Sequence, residues 1–131
     1  MKHPKQCYHS RTEWEEIVQY SRAVRVGNII EVAGTTAMNG TAIVGQGEVV
    51  VQTQFILEKI EEALQELGSN KEAVVRTRMY VTNIQDWEKI GKVHGPFFKG
   101  IQPAATMVQV QALIHPALLV EIEATAIILS D

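Results

Sequence analysis

One stretch of the chain is written in a helical period, and most of the rest is not. From Glu48 to Leu67, the apolar residues Ile56, Ile60, Ala63, Leu64 and Leu67 fall on one face of an α-helix. Glu58, Glu61, Glu62 and Glu66 take the other side, with Lys59 the one base among them, and this acidic run reads as a solvated face. Gly68 stands where a helix turns left-handed to stop, and Ser69-Asn70 continue the break. A second helical pattern, WEKIGKVHGPFFKG, follows Asp86 as its N-cap. Its Trp87, Ile90, Val93, Phe97 and Phe98 share a face, and Gly95-Pro96 is expected to kink or interrupt it.

The remaining segments alternate with period two. Ser21 to Val26 and Ile29 to Val32 read as strands joined by a tight turn at Gly27-Asn28, and Gly34 closes the second. A Gly-rich stretch around the short apolar piece Ala42 to Val44 leads into the first helix. Ala73 to Thr82 places Val75, Thr77, Met79 and Val81 on one side and Arg76, Arg78 and Tyr80 on the other. Thr106 to Leu113 and Leu118 to Leu129 complete the set, the latter after a turn at His115-Pro116. The segment up to Glu16 is polar and mixed, and reads as a loosely held arm or a short leading element.

The order β-β-(β)-α-β-α-β-β predicts a split βαβ-like α+β fold, with residues 1–131 as a single domain and no linker. Two helices can cover one face of such a sheet but not both. The other face carries Arg, Gln, Glu and Tyr beside apolar residues, which suits neither open water nor a dry core. A subunit interface would satisfy it, so a homo-oligomer is expected. Composition narrows the partners. Twelve Lys and Arg against fifteen Asp and Glu leave a formal charge of −3, whereas nucleic-acid binders carry a basic surplus. One cysteine, Cys7, makes no intrachain disulfide, no leading segment resembles a signal peptide, and no apolar window spans a bilayer. Cytoplasmic residence and no membrane partner are the expectation.

The common catalytic motifs are missing: no HExxH, no paired CxxC, no Walker loop and no nucleophile elbow. Gly45-Gln46-Gly47 lacks the third glycine of a dinucleotide loop and reads as a turn. His3, Cys7 and His9 are ligand types, but they fall near a terminus with no second cluster, so no metal is expected. His94 and His115 are lone histidines, read as a helix-surface and a turn residue. Glu121 and Glu123 are the sharper signal. Two apart on an apolar strand, they face one way while Val120, Ile122, Ala124 and Ala126 face the other. Such carboxylates need partners. Arg76 and Arg78, at the same spacing, offer a cross-strand ladder. The rival is a carboxylate that orients water at a cleft.

At VEIEA (Val120 to Ala124), with Pro103-Ala104 and MVQVQAL before it, the chain resembles the Rid family, also called YjgF-like or endoribonuclease L-PSP. The likeness runs from about Tyr20 to Ile128, through YSRAVRVGNIIEVAG, ALQELG, RTRMYVTN, PFF and VEIEATAI. It implies a chorismate-mutase-like α+β subunit in a homotrimer, with small-molecule clefts between neighbouring subunits. Members with the active pattern hydrolyse 2-enamine and 2-imine acids to 2-keto acids and ammonia, without metal or cofactor. In them an arginine pairs with the substrate carboxylate and a glutamate positions water. Carried over by position, Tyr20 is the cleft tyrosine, Gly34 the glycine after the second strand, and Glu121 the water-positioning glutamate.

The active pattern reads Pro-Ala-Arg-Ser/Thr, and here the sequence is Pro103-Ala104-Ala105-Thr106. Ala105 offers no donors for a bidentate carboxylate contact. Two positions on, where the active branch often has cysteine, stands Met107, and the cleft asparagine of some members falls on Gly91. The resemblance therefore implies a branch weak or inactive toward standard 2-imino acids. The alternative is a deaminase using a substitute cation (Arg22, Arg25 or Arg78) or a substrate without a carboxylate. A ribonuclease or translation inhibitor, as older family names suggest, ranks last on the acidic balance.

Overall fold

A computed structural model describes residues 4–129. Eight strands and three α-helices follow in the order β1 (Lys5–Tyr8), α1 (Glu13–Val18), β2 (Ala23–Val26), β3 (Ile29–Thr35), β4 (Met38–Asn39), β5 (Ala42–Ile43), α2 (Val49–Glu66), β6 (Val74–Val81), α3 (Trp87–Phe97), β7 (Ala104–Gln109) and β8 (Val120–Ile127). Six strands form one sheet in the order β1-β2-β3-β8-β6-β7, and β4 and β5 make a separate hairpin. All neighbours are antiparallel except β6 and β7, which run parallel across the α3 connection. The α+β architecture is the one the periodicities predict.

The core lies between the sheet and α2 with α3. Ile56, Leu57, Ile60, Ala63 and Leu64 of α2 bury against Ile30 and Val32 of β3 and Val120, Ile122, Ala124 and Ala126 of β8. Each fully buried Val, Leu or Ile side chain here is worth about 1.5–3 kcal/mol of transfer free energy. Val26 pairs with Ile29 across a two-residue turn whose only positive φ is at Gly27, the sign pattern of a II′ turn. Gly45 and Gly47 both take positive φ in the turn that leads into α2.

The structure sharpens or shifts several expectations. The leading segment is an ordered leading element rather than a loose arm. β1 pairs along β2, Tyr8 Oη donates to Glu62 on α2 at 3.0 Å, and Thr12 and Glu15 close a capping box on α1. In β6 the register slips between Val74 and Arg76, so Val74 takes the core position and Val75 is 43% exposed. Pro96 sits in the last turn of α3 and the helix stops one residue later, so of the two expected outcomes it is the interruption that occurs. The strand expected over Thr106 to Leu113 starts at Ala104 and ends at Gln109, because its hydrogen-bonding partner β6 ends at Val81. Asp86 does hold the N-cap position of α3, but Asn83 makes the side-chain cap, on the short 3-10 turn before it.

Candidate functional site

The site grows from the joint between β1, α1 and β2. Gln19 ends α1 with φ 67°, a left-handed residue that turns the chain sharply, and Tyr20 follows at once. Arg22 then joins β2, with its amide donating to Tyr8 O at 2.8 Å. Its side chain runs inward and is 4% exposed. Nη1 donates to Gly34 O at 2.5 Å and Thr35 Oγ1 at 3.1 Å, and Nη2 donates to Tyr20 Oη at 3.0 Å. Nε faces the Glu15 carboxylate at 3.8 Å and has no hydrogen-bond acceptor among the described residues.

Glu15 is the anion of this buried pair, equally 4% exposed. Burial alone would raise its carboxyl. Hydrogen bonds from the Ser10 and Thr12 side chains and amides outweigh that and hold it below the ordinary carboxylate range. Thr12-x-x-Glu15 is a capping-box pattern legible in the sequence, and it went unread because the segment looked like a mobile arm.

Glu121 enters from β8. The β3–β8 register shifts between Val32 and Thr35, and at this irregularity the Glu121 side chain lies directly over Gly34. A Cβ on Gly34 would collide with Glu121 Oε2 and sit 3.0 Å from Cδ, so only glycine leaves the carboxylate its place. Burial pushes the Glu121 carboxyl up, Arg22 pulls it down and Glu123 adds to the rise, for a net increase. No side-chain hydrogen bond among the described residues ends on Glu121. Glu123, in contrast, is the ladder residue. It accepts from Tyr80 Oη at 2.9 Å and pairs with Arg78 at 3.7 Å. Arg76 instead donates to Thr106 at 2.6 Å, so the expected two-rung ladder has one rung. The acid pair divides: Glu123 is structural and Glu121 is left free.

Tyr20, Arg22, Gly34 and Glu121 line one cavity of about 80 Å³, together with Thr36, Lys59 and the apolar rim of Trp14 and Ile114. It adjoins a wide groove of about 1120 Å³ that shares Trp14 and Tyr20 and continues past Cys7, His9 and His115. Lys59 was not singled out by sequence reasoning, because it lies in a helical turn dominated by glutamates. Its Nζ donates to Met38 O at 3.0 Å, and burial, then Arg22, lowers its pKa.

The other proposed site residues lie elsewhere. Ala105 and Met107 sit on β7, opposite Thr77 and Met79, at the far edge of the sheet and on its helix-covered side. Glu121 is on the opposite face, two strands away. Gly91 is exposed on α3. Arg25 is tied to Gly27 O and Leu67 O, and Arg78 to Glu123. His94 turns inward rather than lying on the helix surface: its Nε2 is 2.9 Å from Thr77 Oγ1, its ring packs on Phe98, and burial pushes its pKa down. The turn reading of His115 matches its Nδ1 accepting from Ala117 N at 3.0 Å. His3 lies outside the described residues. Among those described, no three His, Cys, Asp or Glu side chains group as metal ligands, and no helix is long and apolar enough to cross a membrane.

Residues 11–128 match the family model described as Endoribonuclease L-PSP. A crystal structure of Rv2704 from Mycobacterium tuberculosis, described as a member of the YjgF/YER057c/UK114 family, superposes with a TM-score of 0.88 at 44% identity. The match covers 95% of this chain and 100% of that one. A Yersinia pestis protein described as belonging to the conserved Rid protein family gives a TM-score of 0.77 at 31% identity, over 83% and 87% of the two chains. A Pyrococcus abyssi RutC family protein is 33% identical over 82% of this chain and 84% of its own length. The matched span takes in every residue of the Glu15–Arg22–Glu121 arrangement and the β7 edge alike, and the chain belongs to the endoribonuclease L-PSP family, the YjgF/Rid proteins.

Proposed function

We propose that this protein is a homotrimer with small-molecule clefts between neighbouring copies, in a branch poor at hydrolysing standard 2-imino acids. The separation of the two half-sites carries the reading. Tyr20, Gly34 and Glu121 share one cavity, whereas Ala105 and Met107 occupy the opposite edge and face of the sheet. One copy cannot unite them, but a β7 edge from a neighbour set against the Tyr20–Glu121 cavity can. β7 suits that role, since it is an edge strand whose residues are mostly exposed. A sedimentation experiment tests the assembly: it should return three times the 14.6 kDa chain mass, and a monomer would overturn it.

In such a cleft Glu121 holds the attacking water. A carboxyl raised by burial accepts a proton and returns it more readily than an ordinary one at neutral pH. The chemistry calls for no metal or cofactor. What is lacking is the donor for the substrate carboxylate, because Ala105 presents a methyl group where a guanidinium would fix both energy and orientation. The reading places the protein in the cytoplasm, acting on a small molecule rather than on nucleic acid or membrane.

The test couples the purified protein to an amino-acid oxidase that releases 2-imino acids, and follows keto-acid formation. The wild-type protein should not accelerate it over background. Acceleration comparable to an efficient hydrolase would overturn the reading.

A further inference from the structure

We propose that Gln52 is a positioning residue for the cleft, an α2 side chain that fixes the 114–119 loop and, through it, the point at which Glu121 enters β8. The inference rests on the reading of the Tyr20–Glu121 cavity as the ligand cleft. Gln52 is 0% exposed, yet its amide engages loops rather than its own helix. Nε2 donates to Ala117 O at 2.9 Å and to Gly45 O at 3.1 Å, and Oε1 accepts from Leu119 N at 2.9 Å. In an extended chain the carbonyl of one residue and the N–H of the next but one point the same way, so the amide meets residues 117 and 119 as a neighbouring strand would. The β6–β8 pairing reaches only to Thr82 N, which donates to Leu119 O at 3.2 Å. Gln52 holds what lies beyond the end of the sheet.

The clamped loop carries part of the rim. Ile114 lines the cavity and is 60% exposed, and His115 lines the adjoining groove. His115 Nδ1 accepts from Ala117 N and His115 O from Leu118 N, both at 3.0 Å, so the loop folds on itself and is anchored at Ala117 and Leu119. Glu121 follows two residues later, and its carboxylate lies over Gly34 in this register of β8. A slip of one residue at the start of the strand would turn it toward the core. An apolar side chain in place of Gln52 leaves Ala117 O, Gly45 O and Leu119 N without their buried partner, and the loop opens to hydrate them.

The test combines amide hydrogen exchange with the pH titration of the Gly34 amide shift, which reports the carboxylate lying over it, on the full-length protein. In the wild type, Leu119 N should be protected like the amides inside β8, and exchange at open-loop rates would overturn the proposal with no variant made. Gln52→Leu should speed exchange at Leu119 at least about tenfold relative to Ile122 and Ala124. The Gly34 titration should also move to lower pH, because burial holds the Glu121 carboxyl up and an opened loop admits water. The other charged or titratable groups around it, Arg22, Lys59 and Tyr20 in the cavity and Glu123 on β8, are unaltered by the substitution. Thr53→Val is the control. It deletes the buried hydrogen bond from Thr53 Oγ1 to Val49 O on the same helix without touching the loop, and should produce neither effect. Equal effects from the two variants, or an unmoved Gly34 titration in Gln52→Leu, would make Gln52 a structural residue only and overturn the proposal. Gln52→Met, closer in length and shape, is read in the same way should Gln52→Leu fail to fold. Failure of the cleft reading shows separately, as an Ala105→Arg protein that stays silent in the oxidase-coupled assay with Gln52 intact.

Discussion

Arg22→Met should lower stability by about 3 kcal/mol or more at neutral pH, the largest effect expected of any single substitution near the site. The change leaves the Glu15 carboxylate without its buried counter-charge, and strips the donors from Gly34 O and Thr35 Oγ1. Breaking a buried pair costs more than the pair contributes, because the surviving charge stays desolvated. Ser10 and Thr12 still hold Glu15, which places the cost toward the lower end of the usual range. Urea unfolding of both proteins measures it.

The loss should also depend on pH in a defined direction. In the wild-type protein Glu15 titrates below its unfolded value. Its contribution is thus fully present above the unfolded pKa and disappears as pH falls through the folded one. Without Arg22 the carboxyl is easier to protonate, and protonation relieves the unpaired charge. The gap between wild type and Arg22→Met should therefore narrow on acidification. A gap that widens toward acid would place the stabilisation somewhere other than the Glu15–Arg22 pair.

Gly34→Ala should separate folding from function. Gly34 does not have positive φ, so alanine is compatible with the backbone, and the collision is with the end of a flexible side chain. The stability change should stay within about 1 kcal/mol, since reduced freedom of the unfolded chain offsets part of the crowding. The Glu121 carboxylate, however, must leave its place. A displacement on the order of 1 Å in a catalytic group can cost about 100-fold in rate. Added to Ala105→Arg, the variant that restores the missing guanidinium, Gly34→Ala should reduce keto-acid formation by about that factor. An unchanged rate would remove Glu121 from the chemistry.

The fold was legible where one period dominated. The α2 stripe from Ile56 to Leu64 and the alternation of Val120 to Ala126 bury as their spacing dictates. It was illegible where pairing rather than pattern decides. Val75 alternates correctly with Thr77 yet is expelled by a register slip, and β7 begins two residues early to meet Arg76. The leading segment carries little apolar signal, since β1 is held as an edge strand by backbone hydrogen bonds, and α1 by polar caps.

The site divides in the same way. Glu121 stood out as a charge on an apolar strand, and Gly34 followed by resemblance. What separates Glu121 from Glu123 is the opposing residue on a neighbouring strand, which one strand's own sequence does not contain. Lys59 reads from the sequence as part of a solvated face for a related reason. Its neighbours in sequence are glutamates, but it shares a cavity with Arg22, Thr36 and Glu121.

The absence of a guanidinium at position 105 is the point on which the account turns, and the oxidase-coupled assay on wild type and Ala105→Arg side by side tests it most directly. The wild-type protein should leave 2-imino acid hydrolysis at its background rate, and Ala105→Arg should raise it on the order of 100-fold by orienting the substrate carboxylate against Glu121. A wild-type protein that already hydrolyses these acids efficiently, or an Ala105→Arg variant that folds, assembles and stays silent, would contradict the account.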